Sequence, residues 1–198
     1  MPSNSDQHKV PSVLTYNSKG EVSSWGYRLD SHRHQFSWFK LGLSEYGSQK
    51  LAQEQPERSQ LLKALMKTFK KEPVEIVGDY LRCLWTHATE SIQNNIGRHL
   101  WESLRIKVVV TVPAIWDYKA QELTKTAAVM AGLLARTGTT LELIGEPEAA
   151  ALAVFDEMIV QKKRNLQVST AQILNRFKAN NCRLVILSSF AIPEAAQS

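Results

Sequence analysis

Residues 105–155 read RIKVVVTVPAIWDYKAQELTKTAAVMAGLLARTGTTLELIGEPEAAALAVF. The run from Ile106 to Val112 is dense in β-branched apolar residues, the composition of a strand covered on both faces in a parallel sheet. Pro113 must end that strand or sit just past it, because proline donates no ladder hydrogen bond. Asp117 is placed to cap a following helix, in which Ala120, Leu123, Thr124, Ala127, Ala128, Met130 and Ala131 provide a small-residue packing face. Gly132 or Gly138 closes it, and Thr140 to Ile144 reads as the next strand. Strand, helix and strand in this order predict an α/β unit with a right-handed crossover. A further helix starts at Pro147, where Ala149, Ala150, Ala151, Leu152 and Ala153 allow close packing against the sheet.

Working outward, residues 1–9 are polar and read as a disordered tail. Val13 to Tyr16 and Val22 to Tyr27 flank Asn17-Ser18-Lys19-Gly20, a turn composition, and predict a β-hairpin. Phe36, Trp38, Phe39, Leu41 and Leu43 follow as a third strand or a short helix, a choice periodicity does not make over so few residues. Residues 44–58, with Gly47 and Pro56, read as a surface loop. Leu61, Leu62, Leu65, Met66 and Phe69 mark a short amphipathic helix. A longer one opens at Pro73, carries Val74, Val77, Leu81, Leu84, Trp85, Ala88, Ile92 and Ile96 on one face, and stops at Gly97. Beyond Met158 the sequence becomes a basic connector (QKKRNLQ), a weak helix over 168–178, a strand over Arg183 to Phe190 and a frayed end. The expected division is a tail at 1–9, a lobe at 10–158 and a divergent segment at 159–198.

Composition narrows the classes. The chain of 198 residues is 43% hydrophobic, enough for one good core. Its formal charge of +5 is spread along the sequence, with Lys162-Lys163-Arg164 the longest basic run, which argues against a nucleic-acid surface. Cys83 and Cys182 lie far apart and outside any CxxC pattern, as reduced buried thiols do. His32 and His34 form an HxH pair without the third ligand that a metal site needs. No run approaches the ~20 apolar residues of a membrane span, and a soluble, cytoplasmic protein without membrane contact is expected.

Two positions in the quoted stretch have chemical interest beyond the fold. Glu146 before a helix-opening proline is commonly only a cap that favours the helix dipole, and Pro113 after a strand commonly only ends it. Their pairing says more. TVPAIW at 111–116, the helix AQELTKTAAVMAGL and GEPEAAALA at 145–153 resemble, in this order, the nucleotide-binding domain of the 70-kDa heat-shock chaperone family. The resemblance is to its divergent fungal and animal branch, within the actin-like ATPase superfamily. SSWGY, FSWFKLGL and PVEIVGDYLRCLWTHA extend it more loosely, to about residues 10–155.

The resemblance implies a partial actin-like, ribonuclease H-like α/β lobe with a mixed sheet, packed helices and an N-terminal hairpin. It implies ATP and Mg2+ as family cofactors and unfolded polypeptide or a co-chaperone as partners. ATP hydrolysis is phosphoryl transfer to water, achieved by positioning and charge stabilisation. By motif match, Glu146 is the catalytic residue that organises water and the magnesium shell, and Pro113 is the switch that senses nucleotide state. A departure falls at Gln121, where the family often has an arginine. Neither of the family's glycine-rich phosphate turns has a counterpart, and Gly138-Thr139-Thr140 lacks the aspartate and leads into a strand. The expectation is therefore a fragment or degenerate member with weak or no hydrolysis, or alternatively a noncatalytic interaction scaffold.

Overall fold

Turn chemistry near the start of the chain builds the first sheet. The computed structural model describes residues 10–27, 29, 35–165 and 182–187. Leu14–Tyr16 (β1) and Val22–Trp25 (β2) pair antiparallel, as the hairpin reading expects. Asn17 makes the turn, its side-chain Oδ1 accepting from the amides of Lys19 at 2.9 Å and Glu21 at 3.0 Å. The aromatic run that follows divides between both expected forms. Phe36 makes a lone antiparallel bridge to Leu14, and Phe39–Leu43 form a 3₁₀ turn. The HxH pair and the N-terminal tail lie outside the described residues.

The stretch 44–58, expected as a loop, is two helices. Glu45–Glu54 (α1) is capped by Ser44, whose hydroxyl accepts from the Gly47 amide at 3.3 Å, and Pro56–Phe69 (α2) begins immediately after it. Both supposed breakers have other roles. Pro56 occupies the first turn of α2, where its missing N–H costs nothing. Gly47 is buried in α1 at a close approach, since a β-carbon there would stand 2.8 Å from the Leu41 carbonyl oxygen.

Pro73–Ile96 (α3) runs as expected and ends at Gly97, which has φ 84. Arg98–Ser103 (α4), Arg105–Val112 (β3), Tyr118–Met130 (α5), Thr139–Gly145 (β4), Glu146–Asn165 (α6) and Cys182–Leu187 (β5) complete the chain. Asp117 caps α5 by accepting from the Ala120 amide at 2.8 Å. The described residues fall into two compact units. The first holds those up to Trp85 and Asp117–Gly132; the second holds Thr86–Trp116 and those from Leu133 onward.

The first unit is built on aromatic contacts. Tyr16 meets Phe36 edge-on at 5.1 Å and lies 5.5 Å from Phe69, while Phe39 and Tyr80 lie 5.7 Å apart. Ile76, Val77 and Leu81 of α3 are fully buried, and each such side chain contributes about 1.5–3 kcal/mol relative to exposure. Ala120, Thr124, Ala127, Ala128 and Ala131 are buried as their small-residue pattern predicts, whereas Met130 is largely exposed. Arg82 of α3 donates to the Met130 carbonyl at 3.0 Å, which ties α3 to the end of α5.

The second unit holds a parallel sheet in the order β4-β3-β5. Its central strand is buried from Val108 to Val112, as a strand covered on both faces requires. The expected mixed sheet is not formed: among the described residues the parallel strands and the antiparallel hairpin are separate sheets. Parallel strands need long crossovers, whereas the hairpin closes through a tight turn. The strand expected over Arg183 to Phe190 is described as far as Leu187, as β5, and pairs Arg105 with Cys182 through Val110 with Leu187; residues 188–190 and the helix expected over 168–178 lie outside the described residues.

The last helix differs from expectation in two ways. α6 continues past Met158 to Asn165, because Gln161, Lys162, Lys163 and Arg164 are good helix formers with no breaker among them. Its alanine face is not packed on the sheet: Ala150, Ala151 and Leu152 are exposed and Ala149 is only half-buried. A run of alanines has little amphipathic contrast, so the sequence does not specify which face is covered.

Candidate functional site

Register brings the two motif positions together. Seven consecutive pairs join β3 to β4, from Ile106 with Thr139 to Val112 with Gly145. Adjacent strands lie about 5 Å apart, so the chain leaves the sheet side by side at Pro113 and Glu146. This is the carboxyl end of a parallel sheet, the edge outside which α/β folds bind ligands.

Pro113 is half-buried one residue beyond the ladder. Its carbonyl accepts from the Trp116 amide at 3.1 Å, closing a four-residue turn. Trp116 is buried and anchors that turn, while Ile115 at its tip is 67% exposed. Proline's ring restricts the backbone where the strand gives way to the turn.

Glu146 is half-buried and opens α6, with Glu148 in the same turn. Both lie in the first turn of the helix, where its backbone amides point outward. Gly145, which ends β4, is not there for want of room, since a β-carbon would meet only Pro147 Cδ at 3.8 Å. Gly138 donates no phosphate cradle either: its carbonyl accepts from the Ile106 amide at 2.9 Å, and Thr139 and Thr140 open β4. Gln121 sits in α5, in the first unit, with its amide donating to the Asp117 carbonyl at 3.1 Å.

The donor set at this edge determines what it can hold. Glu146 and Glu148 can orient water or face a hydrated divalent cation. They repel phosphate, and the adjoining positions 112–116 and 145–149 contain no lysine or arginine to offset them. Among the described residues no three histidine, cysteine, aspartate or glutamate side chains gather as a metal cluster. The edge therefore fits one carboxylate contact to water or a hydrated ion, and does not by itself fit a magnesium triphosphate.

Two polar clusters give no signal in the linear sequence. In the first unit, the buried Asp79 carboxylate accepts from Tyr16 Oη at 2.9 Å, Lys71 Nζ at 2.5 Å and Arg82 Nη1 at 3.0 Å. Burial, and then the Asp79 charge, push the Tyr16 hydroxyl far above its ordinary value. In the second unit, Arg136 donates to the carbonyls of Trp101, Glu102 and Leu104 at 2.8, 2.9 and 2.6 Å and lies over the Trp101 ring. It thereby satisfies the open end of α4. Lys107 and Glu142 form an ion pair across β3 and β4. Cys83 is a free, half-buried thiol, and burial pushes it up. No helix among the described residues is long and apolar enough to cross a membrane.

Comparison with known proteins points in one direction. The chain is 28% identical over 166 residues to a chaperone protein HscA homolog of Laribacter hongkongensis, covering 77% of this chain and 24% of that protein. It is 37% identical over 84 residues to the chaperone protein HscA homolog of Acinetobacter baumannii, covering 42% and 11%. It is 28% identical over 156 residues to the heat shock 70 kDa protein 12B of Homo sapiens, covering 73% and 21%. The chain thus spans about a quarter or less of these relatives' length. These partial matches support a relationship to a 70-kDa heat-shock-like chaperone family. No family model and no solved structure matches.

Proposed function

We propose that this chain belongs to the divergent fungal and animal branch of the 70-kDa heat-shock chaperones and represents part of an actin-like, ribonuclease H-like nucleotide-binding lobe. The ancestral activity is ATP-dependent binding of unfolded polypeptide in the cytoplasm, and hydrolysis by this chain is weak or absent. In this reading Glu146 organises water and the magnesium shell, and Pro113 is the nucleotide-sensing switch. The observation that supports it most is the register of β3 on β4, which ends both motifs at adjacent positions on the carboxyl edge of a parallel sheet. Weak turnover follows from the two carboxylates at that edge and from the 198 residues' lack of glycine-rich phosphate turns.

Thermal melting in millimolar MgATP, beside equal inorganic tripolyphosphate, tests the reading. A ligand of the native state raises stability by RT ln(1 + [L]/Kd). The expected result is no greater shift with MgATP than with tripolyphosphate. A larger shift with MgATP that Glu146→Ala diminishes would reveal a full nucleotide site and overturn the weak-site reading.

A second reading, a noncatalytic interaction scaffold, is favoured by α6. Its Leu152, Val154, Phe155 and Met158 are 55–62% exposed at helical spacing, an apolar surface suited to another apolar helix. Phe155→Asp would then abolish capture of such a helix without lowering the melting midpoint.

A further inference from the structure

The lysines that look scattered in sequence are gathered at one end of α2. Lys63 and Lys67 lie one turn apart on the helix, and Lys70 and Lys71 follow just beyond its end at Phe69. With Met66 and Glu72, these four lysines line an open pocket of about 400 Å³ in the first unit. Lys71 is already engaged with Asp79 at 2.5 Å and lies 4.6 Å from the centre of the Tyr16 ring. Among the described residues, Lys63, Lys67 and Lys70 have no acidic partner. Like charges one helical turn apart repel, so the arrangement disfavours the free helix. The negative end of the α2 dipole offsets only cations in or near its last turn, which leaves Lys63 unaccounted for.

The backbone adds an independent observation. Lys70 has φ 52 and ψ 45, the left-handed conformation at a helix end that glycine adopts most easily. The chain holds a cation where an uncharged glycine would relieve strain.

The residue types and the volume limit the ligand. Lysine ammoniums are compact, mobile point charges, suited to neutralising several phosphate oxygens rather than to the forked recognition of one carboxylate that arginine provides. The volume lies within the range of small-molecule sites, about 300–1,000 Å³. A single-stranded nucleic acid would need an extended basic track with aromatic side chains for stacking, and among the described residues no aromatic side chain lines this pocket. We propose that the pocket formed by Lys63, Lys67, Lys70 and Lys71 binds a compact polyphosphate anion, free or as the phosphate chain of a nucleotide, through charge alone.

Calorimetric titration of the full chain with inorganic tripolyphosphate, without magnesium, tests this. Tripolyphosphate should bind, bind more weakly at higher salt, and lose about tenfold or more in affinity in Lys63→Glu/Lys67→Glu. Lys119→Glu, at an exposed position on α5, changes the net charge without touching the pocket and should leave affinity within about twofold. Lys70→Gly should weaken binding while melting no lower than the parent, an outcome that a purely structural lysine would not give. ATP binding as tightly as tripolyphosphate identifies the phosphate chain as the shared ligand. The proposal is overturned by absence of binding at millimolar tripolyphosphate, by equal loss in Lys119→Glu, by unchanged affinity in the double variant, or by an oligonucleotide that binds more tightly with increasing length.

Discussion

Replacing Asp79 with alanine removes one carboxylate and leaves three partners without it. The Asp79 side chain is 10% exposed and its partners contribute unequally. Arg82 is 53% exposed, so its bond resembles a surface ion pair and adds at most about 1 kcal/mol. Tyr16 is buried against Phe36 and Phe69, and a hydroxyl left there without an acceptor costs about 1–3 kcal/mol. Lys71 is 19% exposed and can reach solvent on losing its counter-ion, which limits its share to about 1 kcal/mol. The expected loss for Asp79→Ala is about 3 kcal/mol, a large part of a domain stability of about 5–15 kcal/mol. Urea unfolding followed by circular dichroism should register it as a lower midpoint at unchanged slope. Tyr16→Phe and the double variant complete a cycle, with an expected coupling of about 1 kcal/mol or more because the residues share a bond. A loss in Asp79→Ala below about 1 kcal/mol, or strictly additive effects, would refute the view that this network fastens β1 to α3.

Two further outcomes follow from burial. Tyr16, Tyr80 and Cys83 are all raised in the folded chain, by burial first, above ordinary values of 10.0 for tyrosine and 9.0 for cysteine. A raised folded value favours the protonated form, so the stability is complete below the unfolded values and is lost as pH rises past them. Urea midpoints should therefore fall above about pH 9, and Tyr16→Phe should flatten the fall above about pH 10; a midpoint constant to pH 11 would contradict this. Gly47→Ala should destabilise by about 1–3 kcal/mol because its methyl would stand 2.8 Å from the Leu41 carbonyl oxygen, whereas Gly145→Ala, whose methyl would meet Pro147 Cδ at an ordinary contact of 3.8 Å, should melt as the parent does.

Local signals made much of the fold legible. Asn17 announced the hairpin, Pro73 and Gly97 bracketed α3, the β-branched run marked β3, and Asp117 marked the start of α5. Misreadings arose where a residue type has two physical uses. Gly47 and Pro56 read as loop formers, yet one is needed for close packing and the other opens a helix. The alanines of α6 suggested burial, yet Ala150 and Ala151 are exposed, because a run of alanines favours no one face of a helix. The Tyr16–Asp79 bond spans 63 residues, and Lys63 and Lys67 join Lys70 and Lys71 in one patch only once the turns of α2 align them; neither can be read from adjacency. Pro113 and Glu146 were singled out by resemblance, and their proximity depends on a strand register that the sequence alone does not specify.

The most direct measurement of the central claim is steady-state phosphate release from MgATP by the intact chain and by Glu146→Ala. If the carboxyl edge of the parallel sheet retains the family's Pro113 and Glu146 without a working phosphate cradle, release should stay near the uncatalysed background in both proteins. Sustained release well above background that disappears in Glu146→Ala would contradict that account and make this edge a complete ATPase site.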